Sequence, residues 1–271
     1  MPTETARPAR RYVAFVLIGL VAGFMSGLFG VGGGIVIVPL LLAFGGLPRK
    51  LASGTSLAAI VPTSAVGVIA YATRGSVDVL AAALLAAGAV VGAQLGALLL
   101  ARLSVAAVRI VFMVFALVVA VQLFLVVPER GDGIELDGWT IAGLVIVGLL
   151  TGVLSGLIGI GGGVVVVPAL ILLFESSDLV AKGTSMLMMV PTAISGTIGN
   201  LVRRNVDLVA AGIVGGAACL TTALGAWVAT ILDPRAATIL FAIFLVAVLV
   251  KTAIEAWKAR TPREQRGDAT A

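Results

Sequence analysis

Gly30, Gly32, Gly33 and Gly34 interrupt a long apolar run ahead of Pro39, and Gly159, Gly161, Gly162 and Gly163 do the same ahead of Pro168. Neighbouring glycines can take positive φ and let the backbone approach a ligand closely. A helix starting after them presents amide N–H groups that have no partner within the helix, and such a start attracts anions. The same glycines also suit close helix crossing in lipid, and the two uses are compatible. Pro39 and Pro168 are expected within the first turns of the following helices, where a missing N–H costs least.

A second set of candidates carries hydroxyls. Gly54-Thr55-Ser56 recurs as Gly183-Thr184-Ser185, and Val61-Pro62-Thr63 recurs as Val190-Pro191-Thr192. Thr or Ser just after Gly suits a helix N-cap. Pro62 and Pro191 then fall about two turns inside a span, where proline kinks a helix and frees a carbonyl. Freed carbonyls and hydroxyls can line a polar path through a membrane, so substrate contact and packing both stay open for these residues. Arg74 and Asp78 match Arg203 and Asp207. If helical, that spacing puts each pair on one face, and snorkelling with an interfacial ion pair accounts for them. Gln94, Gln122 and Asn200 are single polar residues within spans, suited to interhelical hydrogen bonds.

Other chemistry is missing from the chain. It has one cysteine, Cys219, and no histidine, so an internal disulfide and a Cys/His metal site are unavailable; no cofactor or metal is expected. No Walker-type phosphate loop occurs. The 13 acids lie at segment ends, in the linker or in the tails, so no carboxylate relay of the kind used by proton pumps is visible. An enzyme is the least supported class, for want of an acid–base pair or an activated nucleophile.

The elements that must position the candidates are membrane spans. With 60% hydrophobic and 11% charged residues and a mean hydropathy of +1.19, the composition is that of an integral membrane protein. The apolar stretches lack barrel-type alternation, so the spans are helical. A net charge of +5 is explained by topology signals beside the spans, and nucleic acid is not an expected partner. Membrane lipid is.

The chain is two copies of one unit. At a constant offset of 129, residues 26–42 match 155–171 at 11 of 17 positions, and residues 52–63 match 181–192 at 7 of 12. Apolar segments are expected at 12–29, 35–47, 55–73, 79–100 and 105–127, and again at 139–158, 164–174, 184–201, 208–231 and 236–256. The run after Arg10-Arg11 reads as mature protein and not as an export signal, because its counterpart lies mid-chain. The division is therefore a tail at 1–11, a first repeat at 12–127, an acidic linker at 128–138, a second repeat at 139–257 and a tail at 258–271.

Charge sets the expected orientation. If all ten segments cross, 14 of the 18 Lys and Arg fall on the side of the termini, and Arg74, Arg130, Lys182 and Arg235 fall opposite with the acidic linker. Cationic flanks mark the cytoplasm, so both tails are expected inside and the linker outside. An odd number of crossings per half makes the second copy an inverted repeat; a parallel arrangement would put the acidic linker inside. Segment 35–47 is short for a span, being about 20 Å as a helix against a hydrocarbon core of roughly 30 Å. Short segments in matching positions of two halves point to a transport site, whether they cross fully or re-enter.

The doubled glycine run with its proline, and the Gly-Thr-Ser and Pro-Thr pairs at fixed distance, resemble the sulfite exporter TauE/SafE family, also called 4-toluene sulfonate uptake permeases. The likeness covers residues 12–257. It implies an inner-membrane permease for small anions such as sulfite or organosulfonates. It also implies substrate contact at the matching positions Gly30, Gly32, Gly33, Gly34, Thr55, Ser56 and Thr63, with Gly159, Gly161, Gly162, Gly163, Thr184, Ser185 and Thr192. The expectation is an all-α secondary transporter with alternating access between its halves, compatible with a coupling ion and with a homo-oligomer. The alternative is a membrane scaffold or assembly factor whose glycines serve packing only.

Overall fold

A computed structural model describes residues 8–99, 113–114, 117, 121, 137–158 and 161–258. Most of the expected segment 105–127, residues 128–136 of the linker, Gln122 and Gly159 lie outside the described residues. The elements are α1 (Pro8–Phe29), α2 (Gly34–Ala43), α3 (Arg49–Ala72), α4 (Val79–Leu99), α5 (Gly138–Ile158), α6 (Gly163–Leu173), α7 (Asp178–Val202), α8 (Leu208–Ile231) and α9 (Pro234–Lys258), with no strand among the described residues. Five of them, α1, α3, α5, α7 and α8, are long and apolar enough to cross a membrane.

α3 and α7 each start six residues earlier than their apolar segments. Pro48, extended at φ −65° and ψ 154°, opens α3 at Arg49. The Ser177 hydroxyl accepts the Val180 amide at 3.4 Å and opens α7 at Asp178, with the carboxylate in the first turn where the helix dipole favours it. Thr55 and Thr184 consequently lie inside their helices and are not N-caps. By contrast, α2 and α6 have 10 and 11 residues, about 15 Å of helix each.

Packing rests on a glycine ridge present in both halves. Gly19, Gly23 and Gly27 of α1 lie against Val214, Ala218 and Thr222 of α8. At the same offset of 129, Gly148, Gly152 and Gly156 of α5 lie against Leu85, Ala89 and Ala93 of α4. Small residues every fourth position let backbones meet where lipid gives no hydrophobic drive for helices to associate. Residue numbers rise together in both pairs, so each pair runs parallel. The outer faces stay apolar and exposed, as at Leu17, Val21, Leu220 and Leu224.

At the centre α3 and α7 run in opposite directions. Gly54 meets Asn205, Gly67 meets Met186, and Gly183 meets Ser76 and Tyr71. Helices that correspond in the repeat thus lie side by side and antiparallel. Beside them, α2 doubles back on α1: the Arg11 Nε donates to the Gly45 carbonyl at 3.1 Å, while the Tyr71 hydroxyl at the far end of α3 donates to the Gly27 carbonyl at 2.7 Å. Phe29 stacks on Phe241 and Phe244 at centroid distances of 5.4 and 5.1 Å, holding α9 against the end of α1.

Candidate functional site

The glycine turns require glycine. Gly30, Gly32 and Gly33 have φ of 70°, 69° and 75°, and Gly161 and Gly162 have 86° and 85°, a region costing other residues roughly 1–2 kcal/mol. Gly33 and Gly162 are the N-caps of α2 and α6 and have no side chain to cap the amides that follow. Gly34 and Gly163 begin those helices. Pro39 and Pro168 lie deeper than the first turn, inside α2 and α6, so each removes an intrahelical hydrogen bond.

The two turns meet. A Cβ built on Gly163 would fall 2.8 Å from both the Gly30 carbonyl oxygen and the Val31 Cα. Gly32 presses on Met189, and a Cβ on Gly161 would lie 3.0 Å from Ile60 Cδ1. Ile60 and Met189 are fully buried and occupy corresponding positions of the repeat. The turns are therefore wedged together between the middles of α3 and α7.

The hydroxyls tie the halves to one another. The Asp78 amide donates to Thr184 Oγ1 at 3.0 Å, and the Asp207 amide donates to Thr55 Oγ1 at 2.9 Å. Ser185 donates to the Gly30 carbonyl at 3.1 Å. Ser56, equally buried, corresponds to Ser185, and the counterpart of Gly30 is Gly159, outside the described residues. Thr63 and Thr192 are buried but donate back to their own helices, at Ala59 and Met188. Pro62 and Pro191 lie inside α3 and α7, one residue before those threonines.

The remaining sequence candidates serve structure. Asp78 and Asp207 cap α4 and α8 by accepting the Ala81 and Ala210 amides at 2.9 and 3.0 Å. Arg74 is in a turn beyond the end of α3 and donates to the Ala70 carbonyl, so it does not share a helix face with Asp78. Gln94 donates to Ser195 across helices at 3.2 Å, while Asn200 bonds the Gly196 carbonyl of its own helix.

Sequence reading missed one group. Lys182 and Asp178, expected at the mouth of a span, are a buried ion pair one turn into α7, with Nζ to Oδ2 at 3.2 Å. Their burial was hidden because hydropathy counts them as a break in the apolar run. The signal that could have found them is the repeat: Ser53 stands opposite Lys182 and Arg49 opposite Asp178, so the pair is peculiar to one half.

Residues 15–252 match the family described as sulfite exporter TauE/SafE. The chain is similar to the probable membrane transporter protein YunE of Bacillus subtilis, 29% identical over 76% of this chain and 84% of that one. It is also similar to the probable membrane transporter protein YdhB of the same organism, 28% identical over 72% and 80%. A probable membrane transporter protein of Haemophilus influenzae is 36% identical over 57% of this chain and 61% of its own. No solved structure matches significantly.

Proposed function

The chain belongs to the sulfite exporter TauE/SafE family, and from that premise we propose that it is a secondary transporter of small anions, sulfite or organosulfonates among them. The family and its relatives are membrane transporters and not enzymes, and the chain is an all-α, multi-pass membrane protein. The anion binds where the two glycine turns meet, and access alternates as the halves rock about that point.

The observation that carries this reading is the contact of Gly163 with Gly30 and Val31. It puts the uncapped start of α6 against the glycine turn that leads into the uncapped start of α2, and helix-start amides favour negative charge. The Ser185 hydroxyl reaches the Gly30 carbonyl of that junction at 3.1 Å, and Thr55, Ser56 and Thr184 complete the set of hydroxyls assigned to the anion. Thr55 and Thr184 accept a backbone amide through oxygen, and each keeps its hydrogen for a ligand. Thr63 and Thr192, with the kinks expected at Pro62 and Pro191, belong to the moving parts of α3 and α7.

The inverted repeat of residues 12–127 and 139–257 is supported by the opposed directions of α3 and α7, since a two-fold axis in the membrane plane reverses corresponding helices. The end shared by Arg11, Lys50, Arg203 and Arg204 would be cytoplasmic by its charge, with both tails, in the inner membrane. A ligand screen by thermal unfolding tests the binding step, because an anion that binds the folded state raises Tm, by about 2.7 kcal/mol of stability at 100 times Kd. Sulfite and a sulfonate should raise Tm where chloride at equal ionic strength does not. Equal response to all salts would remove the site.

A further inference from the structure

The Lys182–Asp178 pair lies where the two halves join. Its side chains are 3% and 2% exposed, and Nζ is 3.2 Å from Oδ2. A Cβ on Gly30 would fall 2.6 Å from Lys182 Cα and 2.9 Å from its Cγ, so the lysine stem lies directly against the first half's glycine turn. One turn further along α7, Ser185 donates to the Gly30 carbonyl at 3.1 Å. On the facing helix, Tyr71 is fully buried and donates to the Gly27 carbonyl at 2.7 Å.

Two buried charges are a poor way to hold a helix, because desolvating them costs more than their attraction usually returns. The first half manages its corresponding position with Ser53. Ionisable residues kept within a membrane protein's interior mark substrate paths, and this pair adjoins the turn assigned to the anion. We propose that Lys182 is the residue that recognises the transported anion, and that Asp178 is the counter-charge the anion displaces from it.

The inference rests on the anion-permease reading and gives that site its charge. In the empty site Asp178 neutralises Lys182. When an anion arrives, the ammonium turns to it, and Asp178 stays in the first turn of α7, where the helix amides stabilise a carboxylate. A lysine offers a compact point charge with three donors and no fixed fork. The class it selects is therefore small, singly or doubly charged oxyanions, chosen by charge and size.

The test is anion-dependent thermal unfolding of the full chain in detergent, titrated with sulfite and with toluene sulfonate. Asp178→Asn should lower Tm without anion and reach half-maximal response at a concentration at least tenfold below that of the parent. Lys182→Met and the doubly neutral Asp178→Asn/Lys182→Met should show no anion response. Lys182→Arg should keep a response. A parent-like response in the doubly neutral variant would overturn the proposal, as would an unchanged half-maximal concentration in Asp178→Asn. A parent that responds to neither anion would overturn the anion reading itself, and this inference with it.

Discussion

Thr184 Oγ1 accepts the backbone amide of Asp78 at 3.0 Å, so a hydroxyl of the second half fixes the residue that caps a helix of the first. The repeat returns the arrangement through Thr55 and Asp207 at 2.9 Å. A reciprocal exchange of this kind is what a two-fold relation between halves produces. The two bonds tie α7 to the start of α4 and α3 to the start of α8.

Replacing Thr184 by Val should leave the Asp78 amide without its partner, at a cost of about 1–3 kcal/mol. Thr55→Val should cost the same at Asp207, and the two should nearly add, since the sites share no partner. Thr→Ser at either position should be close to neutral. Tm of the purified variants checks this, and a Ser variant as damaged as Val would assign the loss to the methyl group instead.

The glycine turns separate backbone strain from crowding. Gly46 has φ of 64° with open space around it, while Gly32 has φ of 69° and presses on Met189. Gly46→Ala should cost only the backbone term, about 1–2 kcal/mol, and leave transport intact. Gly32→Ala should add the clash at the junction and lose transport. Flux per folded protein in the two variants makes the comparison.

The helix ridge gives an opposed pair on neighbouring elements. Gly23→Leu on α1 forces side-chain atoms into α8 at Ala218 and should destabilise by about 1–3 kcal/mol or more. Gly216→Ala on α8 meets nothing within 4 Å and should stabilise by up to about 1 kcal/mol through helix propensity. Thermal unfolding reads both signs.

Orientation is open to chemical labelling. In a Cys219→Ala background, Gly131→Cys in the linker should react with an impermeant thiol reagent from outside, and Thr270→Cys in the tail only after the membrane is opened. Labelling of residue 131 from the cytoplasm alone would contradict the inverted repeat.

Much of the fold was legible because lipid imposes simple rules. Long apolar runs had to be helices, and the repeat located the short helices after the glycines by comparison of one half with the other. The glycine turns were legible too, since positive φ at Gly32 and Gly161 is a property of the residue type. The partners of the hydroxyls were not legible. Thr55 bonds Asp207, 152 positions away, and no local pattern encodes a contact that depends on how two halves cross. The helix start at Asp178 was obscured by polar residues that are buried or capping, and the start at Arg49 by the basic pair Arg49-Lys50 in its first turn. Lys182 was misread for the same reason, as hydropathy records its charge but not the Asp178 carboxylate that accompanies it into the interior.

Anion flux into proteoliposomes decides whether the chain is a permease. Vesicles holding the purified chain should take up sulfite or a small sulfonate at a saturable rate, with each anion competing against the other, and protein-free vesicles should not. Thr55→Val/Thr184→Val should slow that uptake while remaining folded. Folded, correctly inserted protein that moves none of these anions faster than empty vesicles would contradict the account.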